Sequence, residues 1–229
     1  MPLGKIDNVP TKDGRQISFP DPGIISKGWH TDVPFEPYPS AYTILRMHTL
    51  PPNGGDTLWS SAYAFYDHLS PYFKNFLEGL TAVQDANRFR EQARSGGYNL
   101  RTLPRGHPDN SGDDFFAVHP VIRTNPVTGL KGLFVNKTFT KRILEVTEDE
   151  SDAILAYLFK VQHESADLFV KFKWRPTDVA IWDNRCVNHL ATFDYSAPRQ
   201  GDRAVVVGEK PYFDPASISR KEFLRSQQA

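Results

Sequence analysis

The chain has 229 residues, 39% of them hydrophobic and 13% aromatic, with Lys plus Arg and Asp plus Glu both at 27. That length suits one sizeable domain with a real core, and the zero formal net charge offers neither a nucleic-acid surface nor a polybasic membrane anchor. One cysteine, Cys186, excludes an internal disulfide and a Cys-rich zinc site. A reducing compartment is expected, most simply the cytoplasm; no stretch has the length of a transmembrane span, and residues 1–20 lack the apolar core of a signal peptide.

Residues 1–28 are rich in Pro and Gly and read as an irregular lead-in, with at most one short strand near Gln16–Phe19. Ala41 to Leu50 alternates in the manner of a strand and ends in the turn Pro51-Pro52-Asn53-Gly54-Gly55-Asp56. A short helix over Ser60–Asp67 is predicted next, then a second from Ser70-Pro71, where Pro occupies the first turn. Residues 90–113 are polar and Gly-rich and read as a surface loop or lid. Phe115–Thr124 and Gly132–Val135 suggest paired strands around the turn 125–129. Thr147 with Glu150 forms a capping box opening a helix through about His163. Phe169–Lys173, Val179–Trp182 and Arg203–Gly208 complete a set of short strands. A mainly β chain with inserted helices fits a double-stranded β-helix, or jelly roll.

The candidate chemistry lies in a His-x-Asp pair, within Trp29-His30-Thr31-Asp32-Val33, answered far along the chain by His189. Two imidazoles and a carboxylate on one face of a metal leave the other face open. That suits a non-haem Fe(II) that must bind a co-substrate and oxygen. At a strand end the two side chains of a His-x-Asp pair point the same way, because direction alternates with period two. His48, His68, His107, His119 and His163 read as structural or exposed. Asp183 is expected to fix the Asn184-Arg185 loop by a local hydrogen bond rather than to bind a ligand.

These residues sit in a series of ordered motifs: Trp29-His30-Thr31-Asp32-Val33, Gly54-Gly55-Asp56-Thr57-Leu58-Trp59, His119-Pro120-Val121-Ile122-Arg123-Thr124, Leu133-Phe134-Val135-Asn136 with Phe139-Thr140, Ile181-Trp182-Asp183-Asn184-Arg185, and Arg203 through Pro211. In that order they resemble the taurine/sulfonate dioxygenase branch of the Fe(II)- and 2-oxoglutarate-dependent dioxygenases. The resemblance implies a dioxygenase domain over 29–215, between the lead-in 1–28 and a tail 216–229. It implies Fe(II), with 2-oxoglutarate as co-substrate. His30, Asp32 and His189 match the family's catalytic iron ligands, and Thr57 matches the threonine that meets the distal carboxylate of 2-oxoglutarate. Arg199 resembles the arginine paired with that carboxylate, Arg203 the arginine that grips a substrate sulfonate, and Phe139 an aromatic wall of the substrate pocket. The spacing from His189 to Arg199 is one residue shorter than the family's commonest, so Arg203 stands as the alternative 2-oxoglutarate arginine. Family members usually carry a substantial segment ahead of the Trp-His-x-Asp motif, and only 28 residues precede Trp29 here.

The implied reaction is hydroxylation of a small organic acid, foremost an alkyl sulfonate such as taurine, with sulfite released. The same chemistry on a carboxylate or secondary-metabolite substrate is the alternative, and a non-catalytic metal-binding relative is a third. The implied partners are a small-molecule substrate and oxygen, without nucleic acid or membrane. Self-association into a homo-oligomer stays open.

Overall fold

The computed structural model describes residues 4–7 and 28–228. Its regular elements are strands β1 (Gly4–Asp7), β2 (Ser40–Thr49) and β3 (Thr57–Ser61), then helices α1 (Ala62–His68) and α2 (Pro71–Leu77). Strand β4 (Thr81–Asp85), helix α3 (Asn87–Gly96), and strands β5 (Phe116–Pro120), β6 (Ile122–Thr124), β7 (Lys131–Leu133) and β8 (Thr140–Ile143) follow. Helix α4 (Glu148–Glu164), strands β9 (Phe169–Phe172), β10 (Val179–Asp183), β11 (Val187–Ala191) and β12 (Gln200–Val207), and helix α5 (Arg220–Ser226) complete the chain.

The architecture is mainly β with inserted helices, and every ladder between these strands is antiparallel. The largest sheet has the order β1-β12-β2-β10, and a three-stranded sheet has the order β11-β3-β9. A second three-stranded sheet, β5-β4-β8, and the hairpin β6-β7 carry the remaining strands. β2 shows why the large sheet forms: Thr43, Leu45 and Met47 are buried while Tyr42, Arg46 and His48 are exposed, the period-two signature of a half-buried strand. Leu45 and Met47 pack with Trp174 and Trp182. The main core lies where α1 and α4 cover strands, with Phe65, Leu77, Ile122, Leu133, Ile143 and Leu158 all essentially inaccessible to solvent.

Several elements depart from their sequence expectations. The first helix starts at Ala62 rather than Ser60, because Thr57–Ser61 is drawn into β3 and the Ser61 hydroxyl caps the helix by accepting from Ala64 N. The start of the expected 90–113 loop is taken up by α3, a polar helix without a side-chain N-cap that begins at Asn87 and is closed by Gly97 at φ +64. β1 lies in the stretch read as irregular, and α5, with its Ser219–Glu222 capping box, lies in the stretch read as a tail. The strand expected near Gln16–Phe19 falls outside the described residues. No helix among the described residues is long and apolar enough to cross a membrane.

Candidate metal centre

β11, paired to β3 in the register His189↔Trp59, carries His189 into the interior. His30 reaches it through a single antiparallel bridge: His30 N donates to His189 O at 3.0 Å, and His189 N returns to His30 O at 2.8 Å. The bridge brings the two imidazoles to a centroid separation of 4.2 Å. One ligand atom from each of His30, Asp32 and His189 lies within 4.8 Å of the others.

Asp32 does not arrive by strand alternation, as the His-x-Asp spacing suggested. Past the bridge the chain turns, with Val33 at φ +48, a left-handed conformation costly for a β-branched residue. Side chains fix the carboxylate instead. Thr43 Oγ1, from the inward face of β2, donates to Asp32 Oδ2 at 2.5 Å, and Asp32 N donates to Asn184 Oδ1 at 3.1 Å. Asn184 is fully engaged, since Oδ1 also accepts from Trp182 Nε1 and Nδ2 donates to Ser40 Oγ and Thr43 Oγ1. Sequence reasoning gave no role to Thr43 and left Asn184 as a loop residue. The signal available was the position of Thr43 on the buried parity of β2. Asp183 does hold the loop after β10, accepting from Arg185 N and Nε at 2.8 Å each.

Electrostatics leave the cluster deprotonated. Burial pushes His189 down to about 3, and the neighbouring His30 adds to that. Burial likewise lowers His30, although Asp32 opposes it. Burial alone would raise Asp32, but Arg203 and the two imidazoles outweigh it and hold the carboxyl at about 2. Two neutral imidazoles and one carboxylate are the protonation states that a divalent metal requires. His30 Nδ1 lies 2.7 Å from Gly28 O, the second-sphere contact that orients a ligating imidazole. His189 Nε2 stands 3.8 Å from Asp32 Oδ1. With His30 Nδ1 taken up by Gly28 O, one ring nitrogen from each imidazole and the Asp32 carboxylate gather within 4.8 Å, so the donor set fits a metal.

The remaining predicted residues fall into two groups. Arg203, on β12, places Nη1 3.0 Å from Asp32 Oδ1, with its side chain about one-third exposed. Phe139 is buried, its ring edge-on to His30 at 6.0 Å, within the cluster of Phe35, Ala86 and Phe115. Arg199 packs on the Gly54-Gly55 turn, and Thr57 begins the strand that follows that turn. Arg199 is buried and its Nε donates to Gly55 O at 2.9 Å. Both glycines have φ above +70, and a Cβ on Gly55 would come within 3.0 Å of Arg199 Cδ. Thr57 Oγ1 accepts from Trp174 Nε1 at 2.9 Å, so its own O–H remains a donor. Arg199 precedes β12, and the ladder slips between Gln200 and Gly201. Strand alternation therefore does not relate Arg199 to Arg203.

Fold and site together define a mainly β protein with a two-histidine, one-carboxylate cluster that could hold a metal. The family described as "Taurine catabolism dioxygenase TauD, TfdA family" matches residues 4–207. The chain belongs to that family. It is 38% identical to an alpha-ketoglutarate-dependent dioxygenase of Penicillium shearii over 95% of this chain and 66% of that protein. It is 34% identical to an alpha-ketoglutarate-dependent sulfonate dioxygenase of Saccharomyces cerevisiae over 90% of this chain and 48% of that one. A taurine dioxygenase crystal structure from Burkholderia xenovorans superposes with a TM-score of 0.70 at 31% identity, covering 94% of this chain and 64% of that one. The chain thus spans about half to two-thirds of the length of these relatives.

Proposed function

We propose that the protein is an Fe(II)- and 2-oxoglutarate-dependent dioxygenase that hydroxylates a small organic acid, foremost an alkyl sulfonate, in a jelly-roll core. The observation that carries this reading is the His30–Asp32–His189 cluster, whose ligand atoms lie within 4.8 Å of one another, with Arg203 set against Asp32. Bound Fe(II) with 2-oxoglutarate supplies the oxygen activation and the oxidising power. His30, Asp32 and His189 would hold the metal. Arg199 and Thr57 would receive the distal carboxylate of 2-oxoglutarate: a buried, planar fork matches a carboxylate, and the hydroxyl adds one donor. Asp32 engages one nitrogen of Arg203, and the other donors of that guanidinium, unpaired among the described residues, would hold the substrate anion in place. Phe139 would close the apolar side of the pocket. The Saccharomyces relative is named a sulfonate dioxygenase, which supports a sulfonate as substrate. The higher identity to the Penicillium relative, whose name specifies no sulfonate, favours keeping other organic acids as the second substrate class.

The test has two stages. Anaerobic addition of Fe(II) and then 2-oxoglutarate should give a weak visible charge-transfer band in the wild type and none in His189→Ala. No band in the wild type would mean a metal-binding relative without this chemistry. Sulfite release and oxygen uptake would then be followed with taurine, longer alkyl sulfonates and matched carboxylates. Uptake coupled only to a carboxylate, with no sulfite from any sulfonate, would keep the dioxygenase and remove the sulfonate.

A further inference from the structure

Four arginines set against the core each close on a carboxylate: Arg105 on Glu36, Arg123 on Glu209, Arg185 on Asp183 and Arg203 on Asp32. Arg88, in the first turn of α3, does not. Its Nε is buried without a hydrogen-bond partner, and among the described residues no carboxylate meets its guanidinium. Its Cζ lies 4.8 Å from the centroid of Phe139 and 5.2 Å from that of Phe89. Phe139 is the ring that stands edge-on to His30. Arg88 thus lies against the ring that packs on His30, and its charge, like that of Arg203, acts on His30.

A guanidinium keeps its charge at any physiological pH. Ring faces attract that charge but accept few of its hydrogen bonds. A half-buried Arg with aromatic neighbours and no acid is therefore a site with an anion still to come. The chemistry of the anion follows from the count of acceptors. A planar carboxylate is satisfied by one bidentate fork. A sulfonate or sulfate monoester has a third oxygen, which one arginine leaves unmatched.

We propose that Arg88 is a second anchor for the substrate's anionic group, forming with Arg203 a two-arginine clamp that selects three-oxygen sulfur anions over carboxylates. The inference rests on the dioxygenase reading for the position of substrate, and it adds a specificity-determining residue on α3.

The test uses the full chain with Fe(II) and 2-oxoglutarate, oxygen excluded. The visible band checks the metal centre, and calorimetric titration measures binding of hexane-1-sulfonate and hexanoate. Arg88→Gln should weaken hexane-1-sulfonate at least tenfold and hexanoate less than threefold, with the band unchanged. Arg88→Lys, which keeps the charge without the fork, should fall between. Equal affinity of wild type and Arg88→Gln for hexane-1-sulfonate would overturn the clamp, as would equal weakening of both anions or failure of the wild type to bind either. If Arg88→Gln does not fold, the ratio of the two affinities in Arg88→Lys decides, and an unchanged ratio overturns the proposal. Should the wild type give no band while sulfonate binding still depends on Arg88, the clamp stands and the dioxygenase reading fails.

Discussion

Arg199 and Arg203 lie four residues apart yet answer to different surroundings, and their roles separate accordingly. Arg199 is buried and tied to the Gly54-Gly55 turn, with Thr57 two residues beyond it. Arg203 is partly exposed and rests on Asp32, a candidate metal ligand. A carboxylate bound beside Arg199 loses its solvent, so removing the guanidinium leaves a buried charge unpaired, a cost of about 3–5 kcal/mol. Losing one hydroxyl donor costs about 1 kcal/mol. Arg199→Ala is therefore expected to raise the apparent KM for 2-oxoglutarate by far more than Thr57→Val does, while binding of the primary substrate changes little. Steady-state kinetics with each substrate varied in turn would check this. A larger loss of 2-oxoglutarate affinity in Arg203→Ala would exchange the two assignments. The short spacing after His189 cannot choose between these arginines, whereas the partners that each side chain finds in the fold can.

At the scale of elements, legibility followed the strength of local pattern. β2 and α4 were readable because ten alternating residues in one, and a Thr147–Glu150 capping box in the other, express their surroundings in sequence. β11 was not: Asn188 and His189 are buried polar residues in a five-residue strand, and no alternation marks it. It nonetheless carries a metal-ligand candidate, which the motif identified and the strand pattern did not. The position of Asp32 was equally invisible, since it depends on Thr43 and Asn184, far apart in the chain. α3 was missed because its apolar face is thin and its N-terminus uncapped, and with it went Arg88. A contact between elements can be tested at Ser151, in the first turn of α4. Its buried Oγ accepts from Ile143 N at 2.9 Å and ties the helix to the end of β8. Ser151→Ala leaves that buried N–H unsatisfied and should cost about 1–3 kcal/mol. The exposed cap variant Thr147→Ala should cost about 1 kcal/mol. Urea unfolding should show both as shifts in midpoint at constant slope, and a smaller shift for Ser151→Ala than for Thr147→Ala would contradict the tie.

Across the whole molecule, buried neutral histidines make stability a function of pH. His119 is almost inaccessible, with Nε2 2.9 Å from Glu36 O, and burial pushes it down to about 4. His189 is pushed down to about 3 and His30 is also lowered, both chiefly by burial. Each is neutral in the fold but titrates near 6.5 when the chain unfolds, so the unfolded state takes up protons first as pH falls. Their contribution is complete above about pH 6.5 and is lost progressively as pH falls toward 4 and then 3. The Asp32 carboxylate, held at about 2, adds its own loss only below its ordinary value of 3.8. The shift at His119 alone corresponds to about 3 kcal/mol between pH 6.5 and 4. For a chain of this size that lowers Tm by roughly 6–12 °C. The metal-free protein should therefore lose thermal stability from pH 6.5 downward, before its carboxylates titrate. In His119→Gln, whose amide can still donate toward Glu36 O, the slope of stability against pH in this window should fall by close to one proton. Metal-free protein is the sample to use, since a bound ion would hold His30 and His189 deprotonated and hide their share. Calorimetric scans at half-unit intervals from pH 7.5 to 4 would read the slope, and a flat profile down to pH 5 would show that these histidines are already protonated in the fold.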